Sequence, residues 1–142
     1  MQTHTGSEYG RFVFMHLGKG DLILESIQQE IKRLGIKNGI VTSGIGSARK
    51  VIYHRIATVE DDPQNEFITI TTPTEILALQ GMIVDGEPHL HITCCDTKEA
   101  FGGHLEPGCE VQYLVEISIL EVIGVDLVRR PDAFGVSQIQ VR

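Results

Sequence analysis

The run Pro88-His89-Leu90-His91-Ile92 is the densest chemistry in this sequence. In a β-strand, side chains two positions apart share a face and stand about 6.6 Å apart along the chain. His89 and His91 can therefore converge on one metal ion, at Zn–N distances of about 2.0–2.1 Å. Leu90 and Ile92 would then face the other way and supply core. His104 is the third candidate ligand, and Gly102 and Gly103 precede it. Paired glycines let a backbone pass close to another element or take positive φ. Reading 96–103 as a loop gives the chain eight residues in which to turn back, enough to bring His104 beside the two strand histidines. Three neutral imidazoles are a common zinc set and leave a coordination position open. Water held there has a pKa near ~7 and supplies hydroxide at neutral pH. The same three residues also read as two surface histidines on a strand and one in a loop, with no ion between them.

Two carboxylates are candidates for moving protons beside such a site. Glu75 opens a predicted short helix, and Glu116 sits mid-strand among apolar residues. Each has a plain alternative. Glu75 suits the first turn of a helix, where the dipole favours an acid. Glu116 suits the solvent side of an alternating strand. Gly44-Ile45-Gly46-Ser47 reads as a turn whose N–H groups could hold an anion, though no helix-opening glycine pattern accompanies it. Cys95 shares the histidine face but lies about 13 Å from His91 at 3.3 Å per residue, too far for a fourth ligand. Cys94 and Cys109 read as small buried groups. His16 and His54 fall in strand-like runs with no evident partner, and His4 lies in the terminus.

The elements that must position these groups follow from hydrophobic periodicity. Residues 11–17 read as a first strand, broken by Gly18-Lys19-Gly20. Asp21 can cap a helix in which Leu24, Ile27, Ile31 and Leu34 recur at helical spacing, closed by Gly35. Strands are predicted at 37–43, 50–57 and 66–72, with a loop at 61–65. Residues 73–81 read as a second short helix closed by Gly81. Strands follow at 89–95 and 110–122, with Val111, Tyr113, Val115, Ile117 and Ile119 on one face. Residues 125–129 can extend the sheet, and 131–142 receive no assignment. Strands outnumber helices. The expected fold is α+β: a single domain over 1–142 with its core at about 9–130, a mixed or antiparallel sheet and two main helices.

Composition narrows the function classes. At 142 residues the chain is long enough for one core, burying about two-thirds of its unfolded surface. With 42% apolar and 22% charged residues it is globular. No apolar run approaches the ~18 residues of a membrane span. The first residues carry no basic cluster and no apolar stretch, so no secretory signal is expected. Three cysteines, an odd count, fit reduced thiols and a cytoplasmic setting. The net charge is −7, with 12 basic against 19 acidic residues, and no Lys/Arg run exceeds two. That balance disfavours avid nucleic-acid binding, which needs a basic patch.

Several short motifs, taken in order, carry a resemblance. They are Gly18-Lys19-Gly20-Asp21, Ser43-Gly44-Ile45-Gly46-Ser47, 74–81, Pro88-His89-Leu90-His91, Gly102-Gly103-His104-Leu105 and Val115-Glu116-Ile117. Over nearly the whole chain the sequence resembles the plants-and-prokaryotes conserved (PPC) domain family. The resemblance implies an α+β domain that assembles as a homotrimer. It implies that His89, His91 and His104 hold a metal such as zinc. Glu75 matches a recurrent acidic position of that family. In plants such domains are joined to AT-hook segments. This chain has no Arg-Gly-Arg-Pro hook, and Arg129-Arg130-Pro131 is not one. Three functions follow as expectations: a metal-dependent enzyme acting on a small molecule, a DNA-binding or regulatory oligomerisation module, and a structural metal clip without catalysis.

Overall fold

The computed structural model describes residues 1–60 and 64–142; of the predicted 61–65 loop, Asp61, Asp62 and Pro63 lie outside the described residues. The described chain forms nine strands and one helix. In order they are β1 (Glu8–Gly18), α1 (Ile23–Leu34), β2 (Asn38–Ile56), β3 (Asn65–Ile70), β4 (Thr74–Val84), β5 (Glu87–Cys95), β6 (Ala100–Leu105), β7 (Glu110–Ile123), β8 (Leu127–Pro131) and β9 (Ser137–Val141).

The expected α+β fold with two main helices is wrong. The chain is mostly antiparallel sheet with a single helix. Residues 73–81, read as a helix, belong to strand β4. The cause is a β-bulge. Register slips between Ile76 and Ala78, so Ile76, Leu79 and Ile83 all turn into the core. Steps of three and four residues imitate a helix, although the three comes from one alternation plus the inserted residue and the four from two plain alternations. Gly81 does not end a helix either. It lies inside β4 at φ 154, where a Cβ would run into the carbonyl oxygen of His89.

The predicted turn at Gly44-Ile45-Gly46-Ser47 is likewise part of a strand. β2 runs unbroken for 19 residues and absorbs register shifts near Val41, Gly46 and Ala48. It is the central strand, paired with β7 on one side and β4 on the other. The sheet order is β1-β7-β2-β4-β5-β6, with β3 also on β2. β6 returns to pair with the far end of β2, so β2, β4, β5 and β6 close a ring. The predicted 96–103 loop is shorter than expected, because β6 begins at Ala100. The unassigned tail forms a separate hairpin of β8 and β9.

α1 packs on one face of the sheet, against β5 and β7. Ile23, Leu24, Ile27 and Ile31 are buried there, and Gly35 closes the helix at φ 66 as its sequence suggested. Asp21 does not cap it. Its carboxylate accepts the Gly18 N–H at 2.8 Å, and Leu22 holds the cap position without a side-chain bond. Leu79, Ile83, Leu90, Ile92, Val115, Ile117 and Ile119 join the helix in one core. Tyr113 is the exception on β7. A bulge opposite Gly46–Ala48 turns it out, and it is 70% exposed. Cys94 and Cys109 are fully buried. The other face of the sheet leaves Phe12, Phe14, Ile40, Ile45, Leu77 and Met82 exposed.

Candidate metal centre

His89 and His91 project from the outer face of β5, while Leu90 and Ile92 point into the core at 1% exposure each. In an antiparallel ladder, residues directly opposite share a face. His91 is opposite His104 of β6, and His104 is in turn opposite His54 of β2. Three imidazoles therefore stand in a row across three strands, with His89 one pleat along. The rings of His89 and His91 are stacked with centroids 5.5 Å apart. His104 meets His89 edge-on at 4.7 Å and His91 at 5.6 Å.

The glycines before His104 matter because strands approach closely there. A Cβ on Gly103 would collide with the carbonyl oxygen of His54 and lie 2.8 Å from Tyr53 Cδ2. Neither Gly102 nor Gly103 takes positive φ, so close approach alone explains them.

One ring nitrogen from each of His89, His91 and His104 lies within 4.8 Å of the others. A tetrahedral ion with Zn–N bonds of about 2.0–2.1 Å needs its donors roughly 3.4 Å apart. Rotation of the imidazoles would have to close that difference. Two of the donors, His89 and His104, are held in the neutral form that a metal needs. Burial first, then the Arg129 charge and the neighbouring histidines, lowers the His89 pKa. Burial, then His89 and His54, pushes His104 down to about 4. Both rings are neutral at neutral pH, with lone pairs free for an ion. The donor set fits zinc or a similar divalent transition metal.

Two residues at this site had no role in the sequence reading. His54 stacks on His104 with centroids 4.5 Å apart. Its Nδ1 lies 2.5 Å from Glu106 Oε1. His54, His104 and Glu106 form a second group of potential ligand atoms within 4.8 Å of one another. The spacing His104-x-Glu106 was a usable signal for the carboxylate. His54 had none, because its place depends on β6 pairing with a strand some fifty positions away in sequence.

Glu75 and Glu116 are not brought to the histidines within this chain. Glu75 is opposite Cys95, four residues along β5 from His91, or about 13 Å. It lines a separate hollow with Ser47, Asp96 and Tyr113. Glu116 faces His16 at 4.0 Å, with both side chains exposed, in a hollow near Phe14 and Ile45.

The Plants and Prokaryotes Conserved (PCC, also written PPC) domain matches this sequence over residues 4–123. The chain belongs to the PCC domain family. Among solved PCC-like folds, a plant- and prokaryote-conserved protein from Pyrococcus horikoshii is 27% identical. It covers 99% of this chain and 97% of its own, with a TM-score of 0.84. A metal-containing protein from Archaeoglobus fulgidus is 23% identical, covers 97% of this chain and 98% of its own, and has a TM-score of 0.82. The bifunctional protein GlmU of Synechococcus sp. (strain JA-3-3Ab) is 30% identical over 113 residues, which is 76% of this chain. The match spans only 17% of that curated relative's length.

Proposed function

We propose that this PCC-domain chain is a metal-binding protein that holds a divalent transition metal, zinc first among them, through His89, His91 and His104. The observation that carries the reading is the convergence of three imidazole nitrogens, from adjacent strands, within 4.8 Å. The neutral state of His89 and His104 supports it, and so does the metal-containing nature of the Archaeoglobus relative. Bound to three imidazoles, such an ion supplies an open position for water or a small-molecule oxygen, with Lewis acidity toward it.

The residues around that position suit a metal-dependent enzyme on a small molecule. The Glu106–His54 pair stacks against His104 and is the carboxylate–imidazole unit nearest the donors. Glu75 or Glu116 would reach the cluster only from another copy of the chain. We assign the homotrimer as the working assembly. The exposed apolar face carrying Phe12, Phe14, Ile45 and Leu77 is a surface that assembly would cover. A DNA-binding role has a net charge of −7 against it.

The test is elemental analysis of untagged protein purified without added metal, beside the triple variant His89→Ala, His91→Ala, His104→Ala. About one ion per chain, lost in the variant, is expected. Metal-free wild type, or a variant that keeps its metal, would sink the reading. Light scattering on the same samples should give three times the 15.7 kDa chain mass. If chelation lowers the unfolding midpoint and no exchangeable water is found on the ion, the site is a structural clip.

A further inference from the structure

Arg129, at the edge of the histidine cluster, has no counter-ion among the described residues. Arg11, Arg33, Arg49, Arg55 and Arg142 each pair with a carboxylate. Arg130 is exposed to water. Arg129 alone is half-buried, and its Nε is sealed from solvent with no hydrogen-bond partner among the described residues. A buried donor left unpaired is costly, and a charged one more so. No carboxylate among the described residues pairs with this cation, so its terminal guanidinium nitrogens are free to take an anionic ligand.

The surroundings say what kind of ligand. Arg129 is opposite Ile139 on the β8–β9 hairpin, and β8 leans on β4. Between hairpin and sheet lies a cavity of about 700 Å³. That is within the range of small-molecule sites, about 300–1,000 Å³. Ile40, Met82 and Ile139 give it apolar walls, Gln80 adds a polar group, and His89 and His91 stand at its border. Arg129, His89 and His91 line the same cavity, so one ligand could meet both the guanidinium and the histidines. Among the described residues no second Lys or Arg lines the cavity. One guanidinium fork matches one carboxylate, with two parallel N–H···O bonds.

We propose that this cavity binds a small organic carboxylate with an apolar body. Arg129 takes the carboxylate, and Ile40, Met82 and Ile139 pack the body. The other end of the ligand faces His89 and His91. The proposal rests on the metal reading for that second contact only.

The experiment uses calorimetric titration of the zinc-loaded full chain with three probes: hexanoate, its neutral analogue hexanamide, and inorganic phosphate. Hexanoate should bind at least about tenfold more tightly than hexanamide, since hydrogen bonds to a charged group carry that much discrimination. Arg129→Gln should remove the preference and weaken hexanoate by a similar factor, while retaining one zinc per chain. Arg129→Lys should recover part of it. Equal hexanoate affinity in wild type and Arg129→Gln would overturn the proposal, as would no hexanoate binding at millimolar concentration. Phosphate binding as tightly as hexanoate would overturn the apolar body. If Arg129 instead pairs with a neighbouring copy, Arg129→Gln lowers oligomer stability and leaves hexanoate unchanged, which also overturns it. Wild type without metal would defeat the metal reading alone, because the hexanoate preference of the metal-free chain still decides this one.

Discussion

Gly103→Ala is the sharpest perturbation of the strand geometry that assembles the histidines. The added Cβ would lie 2.8 Å from Tyr53 Cδ2 and closer still to the carbonyl oxygen of His54. An ordinary carbon contact is about 3.5–4.0 Å, so β6 must move away from β2 by roughly 0.7 Å or more. Tyr53 cannot yield instead, since it is 3% exposed and stacked on Phe101 at 6.0 Å. His104 is the next residue and moves with the strand. Metal–ligand distances tolerate only about 0.2 Å. Zinc affinity should therefore fall by about 10–100-fold, the range seen when a ligand loses its orienting support. The metal-free protein should also lose about 1–3 kcal/mol, as in other overpacked cores. One term opposes this: alanine reduces the freedom of the unfolded chain and stabilises by about 0.4–1 kcal/mol. The assays are competition against a chromophoric zinc chelator and urea unfolding of the metal-free protein. Gly18→Ala is the control, because a Cβ there meets only Asp21 Oδ2 at 3.9 Å. Zinc affinity within twofold of wild type, with stability unchanged, would refute the claim that close approach of β6 and β2 sets the site.

Two further predictions concern the scaffold. Glu121 accepts hydrogen bonds from the side chain and backbone of Arg11, and these hold its carboxyl down at about 2 from an ordinary 4.5. A depressed folded pKa stabilises fully above the unfolded value and fades as pH falls from 4.5 toward 2. Glu121→Gln should cost about 1 kcal/mol at pH 7, after discounting for solvent around Arg11, and the cost should shrink steadily as pH falls from 4.5 through about 2. A pH-independent difference in urea unfolding would contradict that. Burial pushes Cys94 up to about 12 and Cys109 up to about 11. An aromatic disulfide reagent should modify only Cys95 in the native protein at pH 8, and all three thiols in denaturant. Native labelling at two sites would count against the burial described.

The sequence by itself determined what is local. The helix at 23–34 with its closing glycine, the long β7 strand, and the alternation that sends Leu90 and Ile92 inward while His89 and His91 face out all follow from short-range periodicity. The motifs were enough for the PCC family, which the match over 4–123 bears out. Tertiary structure decided the rest. Whether Ile76, Leu79 and Ile83 form a helix or a bulged strand depends on what pairs beside them, because a bulged strand and a helical turn give the same three-and-four spacing. The glycines of β2 looked like a turn, yet they let a central strand bend between two partners. His54 joined His104, and Arg129 came to the edge of the histidines, through contacts between segments far apart in sequence. Such contacts leave no periodic trace along the chain, since they are fixed by the closure of the sheet and not by any residue's neighbours.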